Sequence, residues 1–97
     1  MSEMARLHEL LDGSGIEHEY VSFITPEGLK TDMGNQILVP DAEQFRKGKG
    51  YSVISHRYSY GGDKGLLEIW KPGTEAMGWL SAEEALKAIS EGMGLGI

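Results

Sequence analysis

The amino-acid sequence predicts an α+β domain in which an N-terminal and a C-terminal helix pack on one face of a three- or four-stranded, mainly antiparallel sheet. Three observations indicate this class: an apolar stripe at helical spacing near the N-terminus, a β-hairpin pattern between residues 51 and 70, and a strong helix-capping signal after residue 80. The length of 97 residues fits one domain over residues 1–97 with a modest core.

The first predicted element is a short amphipathic helix over about residues 3–12. Its apolar side chains recur at helical spacing, at Met4, Leu7, Leu10 and Leu11. Ser2 is suited to cap the N-terminus, and Gly13 or Gly15 can adopt the positive φ that ends a helix.

Two strands and a short helix are expected next. Aromatic and β-branched residues favour a strand within residues 16–24, and Thr25–Gly28 has proline and glycine at the positions of a type I turn. A second strand is predicted over Gln36–Val39, since Pro40 cannot donate to a strand ladder. Asp41–Gln44 resembles a capping box and predicts one or two helical turns.

The hairpin is predicted to turn through Gly61–Lys64, with Tyr60 opposite Gly65. In this register Arg57 forms a cross-strand ion pair with Glu68, and a one-residue slip would mix charge into both faces. The buried face would then consist of Ile54, Tyr58, Leu67 and Ile69, with His56 at its edge.

The last helix is predicted from its cap. Ser81 can accept a hydrogen bond from the Glu84 backbone while the Glu84 side chain reaches back to Ser81. Gly92 is expected to end the helix, and the glycine-rich residues 92–97 are expected to fray. The buried stripe would contain Ala82, Ala85, Leu86 and Ile89.

Three segments, His56–Gly61, Gly65–Glu68 and Gly78–Glu84, occur in an order that resembles small uncharacterised proteins of phages and prophage-like elements in gut Gram-positive bacteria. Those proteins usually have Thr at the position of Ser81, which is a neutral exchange for a cap. The resemblance covers the C-terminal part of the chain. It implies a fold and a phage or mobile-element context, but it supplies no mechanism.

The net charge of −6 is distributed unevenly along the chain. Residues 1–45 carry nine acidic side chains against Arg6 and Lys30, whereas residues 46–71 are net positive. The basic segment is too sparse to favour direct nucleic-acid binding. No apolar run is long enough to span a bilayer, the N-terminus lacks a secretory pattern and cysteine is absent, so a cytoplasmic protein without membrane contact is expected.

No pattern for catalysis, metal binding or a cofactor is predicted. His8, His18 and His56 lack the close pairing of a helical zinc motif. In the favoured hairpin register His56 and Glu68 lie on opposite faces, which argues against a nucleophile set.

The candidate binding residues are Trp70, Trp79, Arg57 and Glu68, because aromatic anchors dominate binding hot spots. The leading hypothesis is a non-enzymatic accessory protein that binds an unknown host or phage protein. Two alternatives remain open. One is an acidic inhibitor that imitates nucleic acid, based on residues 1–45, and the other is a small hydrolase or nuclease built from unpatterned Asp, Glu and His.

Overall fold

A computed structural model of the chain describes residues 2–24, 30–55 and 65–94. Within these residues the helices are α1 (Glu3–Gly13), α2 (Ala42–Arg46) and α3 (Ala82–Gly92). The strands are β1 (Glu19–Ile24), β2 (Lys30–Val39), β3 (Tyr51–Ile54), β4 (Leu67–Trp70) and β5 (Met77–Leu80). They form one antiparallel sheet in the order β1-β2-β3-β4-β5.

The predicted α+β class with terminal helices is confirmed, but the predicted number of three or four strands is too low. The additional strand is β5, for which the sequence predicted no strand. Its four residues include Gly78 and show no clear alternation of apolar and polar side chains, so a pattern of period two cannot be read from them.

The sheet is covered on both faces. The larger core lies between one face and helices α1 and α3, and a smaller core of Leu38, Ala42 and Phe45 lies on the other face under α2. Strand β2 shows the consequence, because Ile37, Leu38 and Val39 are consecutive and all fully buried. A strand buried on both faces has this continuous apolar pattern.

Helix α1 has the predicted boundaries and cap. The Ser2 hydroxyl accepts a hydrogen bond from the Ala5 backbone N–H at 3.1 Å. After the helix Gly15 adopts a φ of +70°, and the Ile16 N–H donates to the Leu11 carbonyl at 3.0 Å. Gly15 therefore supplies the left-handed turn, and Ile16 (5% exposed) fixes the chain against the larger core.

Helix α3 begins with the predicted capping box between Ser81 and Glu84. Its first turn is joined to α1, because Glu3 accepts from the Ala82 N–H at 2.6 Å and Arg6 forms an ion pair with Glu83. The hydrogen bond from Arg6 lowers the pKa of the exposed Glu83 carboxyl. These contacts hold the two terminal helices side by side on one face of the sheet.

The predicted hairpin register is wrong. Ile69 lies opposite Val53, three residues earlier than His56, and Ile54 lies opposite Glu68, where Arg57 was expected. An odd shift exchanges the two faces of a strand. Val53 is therefore fully buried in the larger core and Ile54 is only half-buried, while Leu67 and Ile69 are buried as predicted.

The alternative register satisfies the same physical rule as the predicted one. Val53 is as apolar as Ile54, so either residue can share the buried face with Ile69 without bringing charge into the core. Residues 56–64, which include His56, Arg57, Tyr58 and the predicted hairpin turn, lie outside the described residues. The predicted turn at Thr25–Gly28 also lies outside them.

The segment between β2 and β3 contains the predicted short helix. The Asp41 carboxylate accepts a hydrogen bond from the Gln44 N–H at 2.8 Å, and Phe45 is buried. The Val39–Pro40 peptide bond is cis. No helix in the described part of the chain is long and apolar enough to cross a bilayer.

Candidate functional site

The two tryptophans predicted to mark a binding site lie in different environments. Trp70 is half-buried, and its ring packs edge-on against Phe45 with 5.8 Å between the ring centroids. Its indole Nε1–H donates to the Thr74 carbonyl at 2.9 Å. Trp70 therefore covers the smaller core with its polar atom satisfied, which is a structural role.

Trp79 has the opposite character. It is 54% exposed, and its neighbour two residues earlier, Met77, is 52% exposed. Both belong to β5, which lies at one end of the sheet and pairs with β4. These two large apolar side chains therefore meet solvent at the edge of the sheet.

The backbone of β5 is irregular at Trp79. The pairs Leu67 with Leu80 and Ile69 with Met77 leave one more residue on β5 than on β4, which defines a bulge. Within the bulge Trp79 adopts a φ of +63°. A left-handed backbone costs a residue with a Cβ about 1–2 kcal/mol, so the fold holds Trp79 in a strained conformation.

A shallow groove of about 210 Å³ lies beside Met77. Its apolar floor includes Tyr51 and Ile69, with Lys71 and Glu75 adding charge. The remaining lining residues are Thr74, Met77 and Ala88. The groove thus lies between the sheet, the segment before β5 and helix α3.

Tyr51 is held in place by a close approach to α3. A Cβ added to Gly92 would lie 1.7 Å from the Tyr51 hydroxyl, so a residue larger than glycine at position 92 would displace the ring. The Lys71 ammonium lies 6.0 Å from the centre of the Tyr51 ring, at the outer limit of a cation–π contact. Gly92, the last residue of α3, therefore helps to shape the groove. The left-handed turn after the helix, predicted for Gly92, is instead made by Gly94 with a φ of +72°.

The four predicted binding residues do not form a single described site. Trp79 is exposed, Trp70 packs on Phe45, Glu68 is half-buried opposite Ile54, and Arg57 lies outside the described residues. Met77 and Tyr51 were not among the predicted binding residues. Met77 could have been found only if β5 had been predicted, because its exposure depends on that strand being at the sheet edge.

A second cluster joins residues that the sequence analysis treated as separate. His8, Asp12 and His18 place one potential metal-ligand atom each within 4.8 Å of one another. In the sequence, only the four-residue spacing of His8 and Asp12 indicates part of this cluster, because it puts both side chains on one face of a helix. His18 could not be added from sequence, because its position depends on the turn at Gly15.

Comparisons with known proteins complete the description of these two regions. A scan against protein-family models, a search of curated proteins and a search of solved structures each found no match. The resemblance of the three C-terminal segments to phage-type proteins stays a prediction from the sequence.

Proposed function

We propose that this chain is a non-enzymatic accessory protein of the phage or mobile-element type that binds a protein partner through its β5 surface. The β5 surface consists of Met77, Trp79 and the groove beside Met77. Trp79 enters an apolar pocket of the partner, and the groove receives one apolar side chain in return. The observation that carries this proposal is an exposed tryptophan held at positive φ in a bulged edge strand.

The energetics of Trp79 support a binding role. The strained backbone and the exposed indole both disfavour the free chain, and among the described residues no hydrogen bond or ring contact of the indole offsets them. A buried tryptophan is among the strongest hot-spot residues, with truncation costing about 2 kcal/mol or more. Binding in an apolar pocket would remove the indole from water, and this burial would contribute to the free energy of binding.

The groove supports recognition in the opposite direction. Its volume of about 210 Å³ suits a single apolar side chain of the partner, and its floor is formed by Tyr51 and Ile69. Lys71 and Glu75 place opposite charges at the groove, which would orient an approaching segment. Met77 lines the groove and is also exposed on β5 beside Trp79, so the groove and the projecting Trp79 side chain form one continuous surface.

The acidic residues support protein binding over imitation of nucleic acid. Several carboxylates hold the fold together by accepting from backbone N–H groups or from Arg6. These are Glu3, Glu19, Asp41, Glu83 and Glu84. A mimic uses its carboxylates as a surface row at phosphate-like spacing, whereas these five serve as caps and interhelical links.

The proposal can be tested by affinity capture from host lysate, with and without phage infection, followed by calorimetry with the purified partner. Trp79→Ala should weaken binding at least about tenfold, because it removes the central anchor. Lys87→Ala provides a matched control, since Lys87 is an exposed residue on α3 outside the β5 surface. Wild-type affinity in Trp79→Ala would refute the assignment of this surface.

The same calorimetry at about 50 mM and about 500 mM salt separates the proposed binder from a mimic. The Debye length falls from about 14 Å to about 4 Å over this range. Binding through the β5 surface should change little, because buried apolar area is not screened. A loss greater than about tenfold, together with a silent Trp79→Ala, would instead favour an acidic mimic.

A further inference from the structure

The second region of interest lies where the C-terminal half of α1 meets the segment that enters β1. His8 and Asp12 are one helical turn apart on α1, and His18 returns to them after the left-handed turn at Gly15. Ile16, buried in the larger core, anchors this return. The fold therefore brings together three side chains from two segments.

The distances within the cluster fit a metal ion after small adjustments. His8 Nδ1 lies 2.7 Å from His18 Nε2, and Asp12 carboxylate oxygens lie 3.6 Å from His8 Nε2 and 3.7 Å from His18 Nε2. Ligand bonds of about 2.0–2.1 Å in tetrahedral geometry place donor atoms about 3.3 Å apart. The separations that join His18 Nε2 to His8 Nδ1 (2.7 Å) and to the Asp12 carboxylate (3.7 Å) lie on either side of this value. The 3.6 Å contact involves the other ring nitrogen of His8, Nε2.

The hydrogen bonds of His18 prepare it as a ligand. Its Nδ1 lies 2.8 Å from the Ile16 carbonyl, which can only accept, so Nδ1 carries the proton. The lone pair of the neutral ring is then on Nε2, the atom that faces His8 and Asp12. Metal-bound histidines are typically oriented by this kind of outer hydrogen bond to a backbone carbonyl.

The three side chains of the cluster differ in their exposure to solvent. The His18 side chain is 4% exposed and hydrogen-bonded to the Ile16 carbonyl, whereas those of His8 and Asp12 are 41% and 65% exposed. The Tyr20 ring packs edge-on against His8 with 5.2 Å between centroids and forms one wall. An ion can therefore reach the cluster from solvent on the side of His8 and Asp12.

We propose that His8, Asp12 and His18 form a binding site for a divalent transition-metal ion such as Zn²⁺. Two imidazoles and one carboxylate, without cysteine, suit Zn²⁺, Co²⁺ or Ni²⁺ better than Mg²⁺ or Ca²⁺. His18 binds through Nε2 and Asp12 through a carboxylate oxygen. His8 binds through Nδ1 once its proton is on Nε2, beside the Asp12 carboxylate.

The surrounding charge favours a cation at this site. Residues 1–24 carry five acidic side chains against Arg6, and Arg6 is engaged with Glu83. Three protein ligands leave a fourth tetrahedral position for water or another ligand. The ion would link α1 to the start of β1, and because the cluster shares no residue with the β5 surface, this site is independent of the proposed function.

The test uses the full chain, freed of metal by a chelator, and Zn²⁺ alone as the probe. Calorimetry should show one ion per chain, and the thermal midpoint should rise with Zn²⁺ concentration because the ion binds the folded state. Co²⁺ substitution should give visible absorption bands of a four-coordinate ion, whereas Mg²⁺ should have no effect.

Variants locate the ion. His8→Ala and Asp12→Asn change exposed side chains and should each raise the Zn²⁺ Kd more than about tenfold, an effect that even outer-shell changes can produce. Glu9→Gln is the matched control for Asp12→Asn, because it also removes one exposed negative charge from α1. His18→Ala should abolish binding, with circular dichroism to show that it folds.

Two results would overturn the proposal. One is the absence of stoichiometric Zn²⁺ binding by the wild-type chain, which would leave the His8–His18 hydrogen bond as a purely structural contact. The other is unchanged Zn²⁺ affinity in folded His8→Ala and Asp12→Asn, which would place the ion elsewhere on the protein.

Discussion

Strands β4 and β5 are neighbours in the sheet, and each contains a tryptophan, yet they contribute differently to the molecule. In β4, Leu67 and Ile69 are buried and alternate with the half-buried Glu68 and Trp70. In β5, Met77 and Trp79 are exposed and alternate with half-buried residues. The pairing is continuous between the strands, but only β4 has neighbouring strands on both sides.

The difference shows that position in the sheet, more than residue type, determines what an aromatic side chain does. Trp70 belongs to an inner strand, where its ring packs against Phe45 of α2 and its indole N–H donates to the Thr74 carbonyl. Trp79 belongs to an edge strand with a bulge, where its side chain remains 54% exposed. Strand β4 therefore contributes buried side chains to the core, whereas β5 presents two large apolar side chains to solvent.

The largest expected difference between β4 and β5 is the loss of stability when one large apolar side chain on each strand is replaced by alanine. Leu67→Ala should lower the free energy of unfolding by about 2–5 kcal/mol, because it opens a cavity in the larger core. Met77→Ala on β5 should cost less than about 1 kcal/mol, since half of its side chain is already in solvent. Urea denaturation measures both, and similar losses would show that β5 shares in the core.

How much of this comparison could be predicted depends on the range of the interactions. Helices α1 and α3 were predictable because Ser2, Ser81 and Glu84 form caps within a few residues. The burial of Leu67 and Ile69 was also predictable from their alternation. The hairpin register was not, because Val53 and Ile54 are both apolar and the choice between them depends on the segments that join the strands.

The two candidate sites were less predictable than the fold for the same reason. Trp79 could be selected as an aromatic residue, but its exposure depends on β5 being an edge strand, and the residue types of β5 show no apolar–polar alternation that predicts a strand. His8 and His18 are ten residues apart, and only the turn at Gly15 brings them together. Caps are visible in sequence, whereas both sites depend on where the chain turns.

A smaller effect separates the two indoles directly. Trp70→Phe should lower the free energy of unfolding by about 0.5–1.5 kcal/mol, because it removes the hydrogen bond from Nε1 to the Thr74 carbonyl. Trp79→Phe should leave stability unchanged, since its ring is largely exposed. Thermal denaturation of the two variants side by side measures the contrast, and equal losses would contradict the division of roles.

The smallest effect concerns the backbone at Trp79 and has an unusual sign. At an ordinary position, glycine is less stable than alanine by about 0.5–1 kcal/mol, because it gains more freedom in the unfolded chain. At a φ of +63° alanine keeps the left-handed strain and glycine relieves it, so Trp79→Gly should be at least as stable as Trp79→Ala.

Glu75 provides the matched control for this pair, because it is exposed and is not among the described residues with positive φ. Glu75→Gly should be less stable than Glu75→Ala, which is the ordinary order. Chemical denaturation of all four variants isolates the backbone term from the loss of the indole. If Trp79→Gly proved less stable than Trp79→Ala by the same margin as at Glu75, Trp79 would carry no strain. Its presentation to a partner would then rest on exposure alone.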